Sequence, residues 1–229
     1  MRNRPLLLLT RPAAQSARMA AMAREQFGAK LDILEAPLAR VVPRPFSAVA
    51  VDTSLIATSE NAVHTAAEGG VDFTDRITWC VGPRTAQAAR LRGANVRTGA
   101  GDAAALAAMI DVSPLCWLRG VDAAFDIAKS LNERGLDTDI RITYAINPLD
   151  FATNDRQSIA QAPQVIAPVM SVRSAKRLAQ ALGPDLSHVQ IAAISQQVAD
   201  AWPHPKTRCA VAQLPTADAV LNAIHGLLP

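Results

Sequence analysis

Aromatic residues make up only 4% of this 229-residue chain, and a single tyrosine, Tyr144, is among them. Proteins that bind nucleic acid through its backbone pair a basic stripe with aromatic stacking platforms. Here the basic residues are scattered, no Lys/Arg-rich run occurs, and the formal charge is +3. Nucleic acid is therefore not expected as a partner, and the mild positive excess suits a small anionic ligand better. Cysteine is also scarce: Cys80, Cys116 and Cys209 lie far apart in apolar runs, without CxxC or Cys/His spacing. Buried free thiols in a reducing compartment are expected, with no disulfide framework. The four histidines, His64, His188, His204 and His225, show no partner spacing, so no metal site is expected. No apolar run approaches the ~18 residues of a membrane span. The opening MRNRPLLLLTRP holds four leucines before Arg11, short of the roughly 7–15 apolar residues of a signal peptide, and none is expected. G-x-S-x-G, P-loop and G-x-G-x-x-G motifs after a strand are missing as well, so no nucleotide cofactor is expected.

What is present is a repeated grammar. Leu55 to Ala89 reads LIATSENAVHTAAEGGVDFTDRITWCVGPRTAQAA: an apolar run closed by Thr58 and Ser59, a helix-like segment, a second apolar run closed by Gly82, and an alanine-rich segment. Apolar runs that stop at small hydroxyl or glycine residues and pass into a 3.6-residue period read as strand, tight turn, helix. Val165 to Ala201 repeats the pattern, with Ser171 and Ser195 closing its two runs at nearly the same separation as Ser59 and Gly82. This is a diverged internal repeat, and half of the residues are apolar, enough for a substantial core.

Taken in order, Leu6 to Leu9 form a strand, and Pro12 sits in the first turn of a helix with Met19, Met22 and Ala23 on its apolar face and Gly28 at its end. Leu31 to Leu34 form a second strand. Prolines 37, 43 and 45 hold Ala36 to Phe46 extended, a crossing between domains. Val96 to Thr98 and Leu115 to Leu118 read as strands, Leu106, Met109 and Ile110 as a helix face, and Ala124, Ile127, Ala128 and Leu131 as another closed by Gly135. Ile140 to Ala145 is extended, and Asn147-Pro148 starts the return crossing. Val211 to Leu214 is expected as the last edge strand and Ala217 to Leu228 as the C-terminal helix. The fold class is α/β: two similar parallel-sheet α/β domains joined by a two-stranded extended linker. Residues 1–37 plus 151–229 form a discontinuous domain 1, residues 46–143 form domain 2, and 38–45 and 144–150 are the linkers.

Ligands of open parallel sheets bind beyond the carboxyl ends of the strands, where helix N-termini offer N–H groups and partial positive charge to anions. Thr10, Arg11, Thr58, Ser59, Gly82, Thr85, Arg119, Ser171 and Ser195 fall at or near such ends and are candidate substrate-binding residues, two domains thereby lining a cleft. Each also has a plainer reading: Thr58, Ser59 and Ser171 as helix caps, Gly82 as a tight-turn residue, Arg11 and Arg119 as surface ion-pair partners. Tyr144 ends an apolar run beside the return crossing. A phenol there donates a proton to a leaving hydroxyl or hydrogen-bonds a carboxylate, or else it packs at a domain boundary.

The opening LTRP, TSENAV, VGPRTA, LRG before a helix, the isolated Tyr144, SVRSA, AIS and LPTADAVLNAI, in this order and spacing, resemble the uroporphyrinogen-III synthase family over nearly the whole chain. The resemblance implies a cytosolic, cofactor-free enzyme of tetrapyrrole synthesis. Its substrate would be hydroxymethylbilane, a linear chain of four pyrroles bearing eight carboxylates. Ring A loses its hydroxyl as water, the resulting azafulvene cation is attacked at ring D through a spiro intermediate, and the macrocycle closes with ring D inverted. By position, Tyr144 matches the family's tyrosine proposed to help the hydroxyl leave and Thr85 its threonine in the VGxxTA turn. Thr58, Ser59, Ser171, Ser195 and Gln196 fall on its substrate-lining turns. Val198-Ala199 stands where many members carry threonine and alanine, and Ala167-Pro168-Val169-Met170 replaces the usual aromatic and small residues. The departure at Val198 motivates one alternative, a non-catalytic tetrapyrrole-binding sensor or scaffold. A monomer, with substrate handed over by the preceding pathway enzyme and no membrane partner, completes the expectation.

Overall fold

The computed structural model describes residues 4–99, 102–123, 125–184, 187–204 and 207–229. Strand β1 (Leu6–Leu9) is buried along its whole length. Pro12 takes the N-cap of helix α1 (Ala13–Phe27), one residue ahead of the first-turn place expected for it. Gly28 closes α1 at φ 53°, its N–H on the Arg24 carbonyl, a left-handed conformation that a Cβ would penalise. β2 (Asp32–Glu35) and β3 (Ala39–Pro43) follow. The first half of the repeat becomes β4 (Ser54–Ala57), α2 (Glu60–Glu68), β5 (Ile77–Cys80) and α3 (Pro83–Arg90). Next come β6 (Asn95–Thr98), α4 (Ala103–Met109), β7 (Leu115–Gly120), α5 (Ile127–Asn132), β8 (Thr138–Pro148) and α6 (Thr153–Gln161). The second half becomes β9 (Val165–Val169), α7 (Val172–Leu182), β10 (Val189–Ala193) and α8 (Gln196–Asp200), before β11 (Cys209–Val211) and α9 (Ala217–Ile224).

The chain divides into two compact units, one running to Arg40 and resuming at Pro148–Pro229, the other Val41–Asn147. The divisions fall inside β3 and β8, which are neighbours in one sheet. The two crossings are thus paired strands rather than free extended chain.

The first unit has one sheet in the order β11-β10-β9-β1-β2, its neighbouring strands all parallel. Successive leucines of β1 serve opposite faces. Leu6 and Leu8 join Ala175 and Leu178 of α7 and Val198 of α8. Leu7 and Leu9 join Met19 and Ala23 of α1 and Leu221 and Ile224 of α9. Helices therefore cover both faces, as a continuously apolar strand requires. The second unit has the order β3-β8-β7-β4-β5-β6, with β4 to β8 parallel. Its core has the same two sides: Leu55 and Ala57 face α2 and α3, while Ile56 and Trp117 pack against Leu106 of α4 and Ile127 of α5.

The structure corrects several expectations. β11 ends at Val211, and Leu214 lies 63% exposed in the turn before α9, because the β10 ladder fixes Ile191 to Cys209 and Ala193 to Val211. α9 stops at Ile224 and tightens into a 3-10 turn, His225–Leu227. α4 ends at Met109, and Ile110 turns extended at ψ 128°. Met109 is consequently 51% exposed, and the buried pair is Leu106 and Ala107. α5 begins only after Asp126, whose carboxylate accepts from the Lys129 N–H; Ala124, expected on its apolar face, lies outside the described residues.

Cys209 is exposed on an edge strand, whereas Cys80 and Cys116 are buried as expected. Burial pushes the Cys80 thiol up to about 12 and the Cys116 thiol up to about 11. Since the thiolate is the nucleophile, native protein treated with iodoacetamide at about pH 8 should carry one adduct, on Cys209, and three after unfolding; mass spectrometry reads the count. Both buried thiols hold their protons in the folded state where the unfolded chain has released them. Their contribution to stability is thus intact below the ordinary thiol value and is lost as pH rises from about 9 toward 12.

Candidate active site

Open parallel sheets present a crevice where strand order reverses, beyond the carboxyl ends of the two strands that part there. In the first unit the reversal lies between β1 and β9, whose ends lead to Thr10-Arg11 and Ser171. In the second it lies between β4 and β7, whose ends carry Thr58-Ser59 and Arg119-Gly120. Gly82 and Thr85 follow β5, and Ser195 and Gln196 follow β10, each one strand further out.

The local chemistry shows how each is held. Ser59 Oγ accepts from the Asn61 N–H at 3.2 Å. Ser171 Oγ accepts from the Ser174 N–H at 3.1 Å while Ser174 Oγ accepts from the Ser171 N–H at 3.0 Å, a closed capping box. Ser195 Oγ accepts from the Val198 N–H at 3.4 Å. These serines are caps, and a cap engages only part of a helix start's unpaired N–H groups. Gly82 caps α3 at φ 78° and ψ 155°, which suits glycine alone at little cost. Thr10 is buried and its carbonyl accepts from the Leu38 N–H at 3.0 Å. The Arg11 carbonyl accepts from Ser16 Oγ at 2.8 Å. Gln196 is exposed and its Nε2 donates to Asp200 Oδ1 at 2.7 Å. Thr58 is half-buried.

Arg119 turns back on its own strand end. Its Nε donates to the Gly120 carbonyl at 2.9 Å and a terminal nitrogen to the Val121 carbonyl at 2.7 Å, with the guanidinium 4.6 Å from the Trp117 ring centroid. Two of its donors are thereby spent on the turn after β7.

Tyr144 is 8% exposed and belongs to the core cluster of Leu55, Val63, Ala66 and Leu118. Its ring lies over Gly120, the last residue of β7: a Cβ built there would stand 2.7 Å from Tyr144 Cζ. The packing role and the proximity to a switch point thus coincide in one side chain. Thr85 and Val198 occupy matching places, third in α3 and α8 behind their caps, and both are 4% exposed. The departure at Val198 is therefore a core substitution, and the sensor or scaffold alternative loses the residue that motivated it.

Arg84 and Arg173, passed over in the sequence, stand in the first turns of α3 and α7, and neither turn holds an acid. α1 and α8 likewise carry no acidic residue in their first turns. A cation at a helix start opposes the helix dipole and is compensated when an anion binds there. The available signal was the sign of the charge one or two residues after each strand-closing Ser or Gly. Among the described residues, no cluster of three His, Cys, Asp or Glu could hold a metal ion. A groove of about 380 Å³ in the first unit is lined by Asp150, Arg156, Arg177 and Gln180 near the carboxyl end of α7. It contains none of the candidate site residues.

Two doubly wound parallel units, the first with unacidic helix starts at its switch point and the second with Glu60 in the first turn of α2, place the chain among two-domain α/β proteins whose ligand end is the carboxyl edge of the sheets. The crystal structure of uroporphyrinogen-III synthetase from Helicobacter pylori matches over 98% of this chain and 99% of that one, at 15% identity and a TM-score of 0.68. A mutant uroporphyrinogen III synthase from Thermus thermophilus matches over 97% of each chain, at 13% identity and a TM-score of 0.55. At such identities the likeness is one of fold. A comparison with curated proteins finds no match. Residues 20–222 match the family model described as uroporphyrinogen-III synthase HemD. The chain belongs to the uroporphyrinogen-III synthase family. It is an enzyme of tetrapyrrole biosynthesis that cyclises hydroxymethylbilane to uroporphyrinogen III, with loss of water and inversion of ring D. Among the described residues, no helix is long and apolar enough to cross a membrane.

Proposed function

We propose that Tyr144 is the catalytic group and that the switch-point turns of both units hold the substrate's carboxylates. The observation that carries this reading is the Tyr144 ring over Gly120, at the carboxyl end of β7 and beside the β4/β7 reversal. The phenol gives its proton to the departing ring A hydroxyl, which leaves as water, and the proton released when the macrocycle closes restores it. The substrate supplies its own electrophile, so the protein needs no nucleophile. Holding the reacting ends together is worth up to ~7–11 kcal/mol, and the same hold excludes direct closure without inversion. Thr10, Arg11 and Ser171 in one unit, Thr58, Ser59 and Arg119 in the other, with Gly82, Ser195 and Gln196 flanking them, supply the grip.

The test uses freshly generated hydroxymethylbilane and separation of the type I and III products. Tyr144→Phe should slow formation of the type III product about tenfold or more. An unchanged rate removes Tyr144 from the chemistry. Arg84→Ala and Arg173→Ala should each raise KM several-fold with kcat little changed, because charge that grips substrate and transition state alike is uniform binding. A rise in only one of them confines the carboxylate grip to one unit. The enzyme acts as a cytoplasmic monomer that receives hydroxymethylbilane from the enzyme producing it; sedimentation and a coupled assay with that enzyme check both points.

A further inference from the structure

We infer that the hydroxyl pair of Thr65 and Thr143 fixes a β-bulge that turns Tyr144 onto the α2 face of its sheet, which makes both threonines positioning residues for the cyclisation. The inference rests on the assignment of Tyr144 as the catalytic group. β7 and β8 run in register from Leu118 opposite Arg141 to Arg119 opposite Ile142, but Gly120 then faces Tyr144. Thr143 is the surplus residue. In a regular strand neighbouring side chains point to opposite faces, and a one-residue slip inverts all that follow. Thr143 points toward α2, where its Oγ1 lies 2.8 Å from Thr65 Oγ1. Without the bulge Tyr144 would point the other way, toward the face where Trp117 packs against Ile127. With it, Thr143 and Tyr144 are buried consecutively, at 0% and 8% exposure, and Tyr144 joins Val63 and Ala66 of α2.

The bulge is tied on three sides. The Thr143 carbonyl accepts from the Arg44 N–H at 2.8 Å, and the Tyr144 carbonyl accepts from the Val121 N–H at 3.0 Å. Any residue could make these two backbone bonds. The third tie is specific to side chains: Thr65 donates to Thr143 Oγ1, and Thr143 donates to the Arg119 carbonyl at 3.5 Å. It joins helix α2 to the two strands that carry Tyr144 and Gly120. Bulges of this kind re-aim a side chain at a functional site. Thr143→Val keeps the shape and removes the hydroxyl, and the single Thr65 hydroxyl proton turns to the Asn61 carbonyl, 2.8 Å away, so it keeps an acceptor.

Tyr144 is the only tyrosine, so 3-fluorotyrosine labelling gives one ¹⁹F resonance that reports its ring. Thr143→Val and Thr65→Val should each shift or broaden that resonance and lower kcat about tenfold with KM unchanged, and Thr143→Ser should restore both. A resonance unmoved in both valine variants overturns the inference, as does a serine variant no better than valine. The two assignments fail separately. A Tyr144→Phe enzyme at full speed removes the ring from the chemistry, and the catalytic part of this inference with it. An unmoved resonance removes the threonine tie alone.

Discussion

Gly120→Ala should lower kcat roughly a hundredfold while leaving KM close to its original value. The new Cβ would meet Tyr144 at 2.7 Å from Cζ, 2.9 Å from Cε2 and 3.1 Å from the phenolic oxygen, so the ring has to move. It is enclosed by Leu55, Val63 and Leu118, and overpacking a filled site costs about 1–3 kcal/mol, equivalent to several degrees in Tm for a chain of this size. The φ angle of Gly120 is not among the positive ones, so backbone strain plays no part and the whole effect passes through the tyrosine. A double-mutant cycle isolates it: in a Tyr144→Ala background the same glycine substitution should cost almost nothing in stability. An equal cost in both backgrounds would mean that the contact is not the cause.

Leu8→Ala should destabilise the first unit by about 2–5 kcal/mol, a large part of the ~5–15 kcal/mol that holds a typical domain folded. Leu8 is 0% exposed and sits on β1 between β2 and β9, opposite Leu34. A cavity there is walled by strands on both sides and by helices on its face, and it has little freedom to collapse. Because each unit has its own core, the damage should be local. Hydrogen exchange should accelerate in β1, β9 and β10 and stay slow in β4 and β7. Equal acceleration in both units would show that they unfold as one.

Strands buried on both faces announced themselves in the sequence. β1, β4, β9 and β10 are apolar runs ending at a small or hydroxyl residue, since a parallel sheet covered by helices on both sides has no polar face to alternate with. The paired repeat followed for the same reason, and with it the caps at Ser59 and Ser171. Edge elements were less legible. β11 has exposed, intermediate, exposed positions and no apolar signature, so the expected span, Val211 to Leu214, starts two residues and ends three residues beyond the observed strand. Tyr144 stood out by composition, but what aims it did not: Thr65 and Thr143 are ordinary threonines until the register slip brings their hydroxyls together. Arg84 and Arg173 needed one further electrostatic question, namely why a cation should occupy a helix start.

The interruption of the first sheet has a consequence for synthesis on the ribosome. β1 takes β9 as a neighbour, with Leu6 beside Val165, and all of Val41–Asn147 is translated between them. At ~5–20 residues per second, the nascent β1 leucines wait on the order of ten seconds for that partner. Throughout the delay LLLL is a sticky, half-paired edge, whereas the inserted unit has its entire sequence once Asn147 is added, before β9 is made. Chaperone demand should therefore concentrate on the segment from β1 to Arg40 until β9 emerges.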